Sequence, residues 1–210
     1  MRIVNCPLQE GKRKPDRIKG FTLIELVISS AIFLIIISLV FSITGTGRVS
    51  WSIASARIHL HTQARQASSF IREELMLSNN TRVFIEDGGT SIRFSVPLVT
   101  SSGELSLSGG GDLRWGDGTN EAYSIKYVPV VQMVNGTAVT NLVRQRLDNT
   151  MVVVEERVIA RDLDSANPPT VVLTGGRYEL TYNFILTSYL GRNLPTPIAH
   201  SITIAVTPRN

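Results

Sequence analysis

The chain has one cysteine, Cys6, so it can close no internal disulfide. Beyond Cys6 there is no thiol, and no Cys-His or Ser-His-Asp grouping can be assembled from the residues present. Residues 21–210 contain no proline before Pro97, and Leu26 to Ile43 contain no charge. An excess of charge is also missing from most of the chain. Residues 1–20 hold six basic residues (Arg2, Lys12, Arg13, Lys14, Arg17, Lys19) against Glu10 and Asp16. Taking these from the totals of 21 basic and 17 acidic residues leaves fifteen of each beyond residue 20. The overall charge of +4 and pI near 9.5 are therefore a property of the N-terminus. No nucleic-acid partner is expected, because basic and acidic residues balance beyond residue 20 and the excess of positive charge lies in the N-terminal tract.

What is present begins with that basic tract and the apolar run behind it. Eighteen uncharged residues from Leu26 to Ile43 would span about 27 Å as a helix, close to a hydrocarbon core of about 30 Å. An ordinary secretory signal has a shorter apolar region followed by a small-x-small cleavage site, which Ser42-Ile43-Thr44-Gly45 matches poorly. Basic residues beside a first span hold that end in the cytoplasm, so the rest of the chain is expected outside. Between tract and run stands GFTLIE, Gly20 to Glu25. A carboxylate at the centre of a span costs roughly 2.5–3.5 kcal/mol even on lenient scales, so one near its start calls for a role.

This arrangement resembles the N-terminal signature of type IV prepilins and pseudopilins. The resemblance implies cleavage between Gly20 and Phe21 by a prepilin peptidase and N-methylation of Phe21. It also implies pairing of Glu25 with the N-terminal amine of a neighbouring subunit during assembly. Expected partners are that peptidase, other minor and major pilins or pseudopilins, and the bacterial inner membrane. The domain would lie in the periplasm and later in the filament. Many major pilins carry a C-terminal disulfide and a proline that kinks the helix; this chain has Ser42 at the second place and no cysteine for the first.

Beyond the span, Val49, Ile53, Ala56, Leu60, Ala64, Ala67, Ile71 and Leu75 recur every three or four residues. That spacing predicts an amphipathic helix with Arg65, Arg72 and Glu73 off the stripe. Gly45 and Gly47, each costing roughly 1 kcal/mol against alanine, mark a place for a bend or local melting. The divisions expected are 1–20 leader, 21–44 span, 45–80 amphipathic helix and 81–210 β domain.

Three turn signals separate strand-like runs: Asp87-Gly88-Gly89, Asn135-Gly136 and Gly175-Gly176. Tyr178, Leu180, Tyr182, Phe184 and Leu186 alternate with polar residues, as a half-buried strand should. Ile202, Ile204 and Val206 repeat the pattern. Pro129 predicts an edge or a bulge in its run. Residues 100–120 and Ser188–Ala199 read as surface loops. With no βαβ alternation, the fold class expected is α+β: a long N-terminal helix packed on an antiparallel sheet, as in pilins.

Other groupings carry less. Gly109-Gly110-Gly111 lacks the lysine and strand-to-helix context of a phosphate loop. Asp112, Asp117 and Glu121, and likewise Asp162, Asp164 and Asn167, match no calcium-loop spacing and read as solvated carboxylates. His59 and His61 point to different helix faces, and His200 stands alone, so no metal is expected. No cofactor and no enzymatic activity are expected.

Short stretches resemble one subgroup: Ile125-Lys126-Tyr127, Asn141-Leu142-Val143-Arg144, Val158 to Leu163, and the final SITIAVTPRN. They are similar to J-type minor pseudopilins of type II secretion and to PilW-type minor pilins, whereas K-type tip pseudopilins usually lack the glutamate. The function expected is a low-copy subunit near a filament tip. The alternative is a membrane-anchored extracytoplasmic binding module or adhesin that uses a pilin-like end for export.

Overall fold

The computed structural model describes residues 21–134, 136–189 and 192–208. Gly20 and the rest of the leader lie outside the described residues. One helix, α1, covers Leu23–Leu77, and the chain divides into two compact units, Met1–Arg48 and Val49–Asn210. Helical conformation runs unbroken through Gly45 and Gly47. The local melting considered there does not occur, since the i to i−4 ladder needs no side chain and both glycines stand in open space.

Within the first unit the helix buries nothing. From Phe21 to Arg48 every residue is exposed except the half-buried Ile37. A helix apolar around its whole circumference suits lipid or a protein core and not water. Several of its hydroxyls bond back to the helix: Ser30 Oγ donates to the Val27 carbonyl at 2.9 Å, Ser38 Oγ to Ile35 at 2.8 Å and Thr44 Oγ1 to Val40 at 2.7 Å. Back-bonding of this kind lets polar side chains sit where no water reaches.

In the second unit the expected stripe becomes the helix face of the core. Ala56, Leu60, Ala64, Ala67, Ile71 and Leu75 are buried and Ile53 packs beside them, while Val49 remains exposed. The strands follow as β1 (Val83–Glu86), β2 (Ser91–Phe94), β3 (Val96–Pro97), β4 (Trp115–Gly116), β5 (Ser124–Val134) and β6 (Thr137–Leu147). Then come β7 (Val153–Leu163), β8 (Thr170–Thr174), β9 (Arg177–Tyr189) and β10 (Arg192–Val206). The main sheet is antiparallel in the order β1-β2-β5-β6-β7-β9-β10, with β8 paired to β9 and with β3-β4 as a separate ribbon. The class is α+β, a long N-terminal helix with an antiparallel sheet, consistent with a pilin-like fold.

All three turn signals join paired strands: β1 to β2 across Asp87–Gly89, β5 to β6 across 135–136, and β8 to β9 across Gly175-Gly176. Gly175 and Gly176 both take positive φ, at 59° and 81°, which a side chain would resist. Alternate residues of β9, from Tyr178 to Leu186, are buried against the helix face. Pro129 sits where β5 has outrun β2, whose registered partners end at Tyr127. Its missing N–H therefore costs no ladder bond on that side.

One expectation about the strands is corrected. Ser188–Ala199 is no loop: β9 runs to Tyr189 and β10 starts at Arg192, with the register shift between Asn193 and Ile198 absorbing Pro195 and Pro197. Prolines at an edge-strand bulge are tolerated because no neighbouring strand needs their N–H. Residues 100–120 form the expected surface loop, largely exposed and held together by β4 and by the bridges Val99 with Leu105 and Leu107 with Leu113. Strand β7, which sequence periodicity did not mark, carries a bulge opposite Asn141, with Asp162 at φ 62°.

Candidate functional site

Phe21 is exposed, and the helix begins two residues later. Thr22 and Glu25 form a reciprocal pair at this start. The Glu25 carboxylate accepts from the Thr22 backbone N–H and from Thr22 Oγ1, both at 3.2 Å, while the Glu25 N–H donates to Thr22 Oγ1 at 3.3 Å. This is a capping box, T-x-x-E, in which each side chain takes up a donor that the first helical turn leaves unpaired. The carboxylate also lies at the positive end of the helix dipole. Sequence reading gave Glu25 a pairing role in assembly and missed this local use, although Thr22-Leu23-Ile24-Glu25 spells it. The site thus presents an N-terminal segment, an anion three residues into the helix, and an exposed apolar shaft. Gly20, the other half of the expected cleavage point, falls outside the described residues.

Comparison with protein families matches residues 16–41 to the prokaryotic N-terminal methylation motif. The chain carries a pilin-type N-terminal signal. The match spans Gly20, Phe21 and Glu25 and supports the pilin and pseudopilin superfamily. With α1 long and apolar enough to cross a membrane, the signal is consistent with membrane anchoring. Comparison with curated proteins and with solved structures gives no match.

The remaining polar groupings take other roles. Asp117 caps its own turn, accepting from the Thr119 and Asn120 N–H groups at 2.8 and 2.7 Å, and lies 3.6 Å from Arg146. Burial opposes its ionisation, yet those hydrogen bonds and Arg146 hold its carboxyl below the ordinary value. Glu121 pairs with Arg114. Asp112 joins neither, so the three do not converge. Asp164 accepts from Ala166 N–H and Asn167 Nδ2, whereas Asp162 is half-buried with its carboxyl raised by burial, opposed by His59 and Arg161. No group of three metal-ligating side chains occurs among the described residues.

One reading is overturned. His200 is not alone: its ring packs against that of His61, with centroids 3.9 Å apart and planes tilted by 45°. The contact joins α1 to β10 across 139 residues of sequence (200 less 61), so no local pattern could show it.

Proposed function

We propose that this protein is a minor subunit of a type II secretion pseudopilus or a type IV pilus. A prepilin peptidase would remove residues 1–20 and methylate the new N-terminus at Phe21. The observation that carries the reading is the methylation motif heading a helix that is apolar on all sides and wholly exposed through residue 36. Such a surface needs lipid before assembly and neighbouring helices after it.

Cleavage leaves an ammonium on Phe21 close to Thr22, the residue that donates to Glu25 in the capping box. In the assembled filament Glu25 would exchange this local bond for the amine of a neighbouring subunit. A charge pair is worth far more in low dielectric than in water, which favours the exchange once both groups are buried. The low-copy role and the J-type or PilW-type assignment draw on the short resemblances and on the absence of a mature disulfide. No catalytic role is assigned.

Intact-mass analysis and N-terminal sequencing from peptidase-positive cells test the processing step. The expected product begins at methylated Phe21. A chain beginning near residue 45 would mean an ordinary cleaved signal and would overturn the reading. Quantitative proteomics of sheared filaments tests copy number, since a major subunit would dominate that fraction. An anchored binding module is the second reading, favoured by the exposed Leu105 and Leu107 on the ordered 98–118 segment. It predicts absence from the filament fraction altogether.

A further inference from the structure

Strand β10 is the last strand of the sheet, paired to β9 on one side and to nothing on the other among the described residues. Past the bulge, Ile198 to Val206 give nine residues of regular register with no Asp, Glu, Lys or Arg. Natural edge strands are usually blunted by charges, prolines or bulges, because unpaired N–H and C=O groups recruit another strand. Here the two prolines and the bulge guard only the first part. The free part is left open.

Along this edge runs a groove whose other wall is α1. Three successive cavities of about 330, 490 and 260 Å³ line up between residues 57–72 of the helix and residues 196–205 of the strand. The helix wall presents Arg57, His61, Arg65 and Arg72, all exposed. The three arginine side chains have no hydrogen bond, ion pair or ring contact among the described residues. Glu73, which accepts from Ser69 at 2.9 Å, tempers only the end near Arg72. The β10 wall contributes no carboxylate.

We infer that this groove takes an extended acidic segment of a different polypeptide, added as a strand to the free edge of β10. The spacing fits that occupant. Residues four apart on a helix rise about 6 Å, and same-face residues of a strand repeat about every 6.6 Å. Carboxylates at alternate positions of an added strand would therefore meet Arg57, His61 and Arg65 in turn, while its backbone completes the β10 ladder. Charge decides against a second copy of this chain. Antiparallel pairing of two β10 edges puts both helices on one face and brings two cationic rows together.

The inference stands apart from the subunit reading and is tested on the full-length chain in detergent. The probes are a labelled Glu-Thr alternating octapeptide, its Lys-Thr counterpart, a Glu-Thr peptide N-methylated at every amide, and a single-stranded oligonucleotide. Anisotropy should show binding of the first peptide alone. Hydrogen exchange should slow at residues 198–206 in its presence. Replacing Arg57, Arg65 and Arg72 together by Glu should weaken that binding at least tenfold and admit the Lys-Thr peptide. Equal binding of the N-methylated peptide would mean charge attraction without strand addition and would overturn the inference. Tighter binding of the oligonucleotide, or no protection at millimolar peptide, would overturn it as well.

Discussion

The Tyr127 hydroxyl on β5 donates a 2.6 Å hydrogen bond to the Glu74 carboxylate on α1. Arg144 of β6 reaches the same carboxylate, with Nη2 3.0 Å from Oε1 and Nε at 3.1 and 3.2 Å. Burial, together with the Glu74 charge, raises the Tyr127 phenol far above its ordinary value, so it stays a donor. The three residues tie the last turns of the helix to two strands. They replace nonspecific apolar contact by a fixed rotation of the helix about its axis.

Removing the donor should therefore cost stability without opening the core. Tyr127→Phe is expected to lose about 2 kcal/mol, the range for a hydrogen bond to a charged group. Arg144→Met should lose at least as much, because it leaves the half-buried Glu74 charge with one partner fewer. Denaturant titration of both variants in detergent, followed by tryptophan fluorescence, measures this. Unchanged midpoints would show the triad to be idle.

Glu25 has two jobs in this account, and one pair of substitutions separates them. Glu25→Gln keeps an acceptor for the capping box but drops the charge, whereas Glu25→Ala drops both at a cost of about 1 kcal/mol in helix capping. Both variants should be cleaved, and both should fail to enter sheared filaments. Filament entry by the glutamine variant would reduce Glu25 to a helix cap.

Acid should loosen the contact between α1 and β10. Burial, then the charge of His61, lowers the His200 imidazole below its ordinary value of 6.5. Between that lowered folded value and 6.5 the unfolded chain binds more protons, so stability is full above 6.5 and is lost as pH falls through the folded value. Arg57 and Arg65 flank the pair and offer no counter-charge. Glu86 and Asp87 do not interfere: burial opposes ionisation of Glu86, yet its bonds to Arg93 and Lys126 hold it below 4.5, and the bond from Lys126 lowers Asp87. Subtracting the stability profile of His200→Gln from that of the natural chain, over pH about 7 to about 5.5, should leave a falling slope. A flat difference would refute the coupling.

Gly116 tests the ordered segment that follows β3. A Cβ there would collide with the backbone of Asn120 and the Cα of Glu121. Gly116→Ala should cost about 1–3 kcal/mol, as overpacking does. It should show first as faster hydrogen exchange across residues 98–121. Gly109→Ala, in open space, is the control and should change little.

The N-terminal signature, the apolar shaft and the helix stripe were legible because each is written in contiguous residues. Spacing of three and four marks the buried face from Ala56 to Leu75, and Gly-containing pairs mark three hairpins. Glu25, Gly20 and Phe21 need no partner elsewhere in the chain to be noticed. Strand β7 escaped notice because Glu155, Glu156, Arg157 and Arg161 break its alternation, and its bulge at Asp162 shifts the pattern by a residue. Pro195 and Pro197 pointed to a loop. Whether a proline ends a strand depends on whether a neighbour needs its N–H, and only sheet order reveals that the β10 edge has none among the described residues. Tertiary structure alone decided that Glu74 meets Tyr127 and Arg144, 53 and 70 residues away. It alone brought His200 to His61 and set three arginines of α1, unpaired among the described residues, along the outer edge of β10. Local sequence fixes periodicity and turns, because those depend on neighbouring backbone; partners across the core follow from how the sheet is ordered and how the helix is turned upon it.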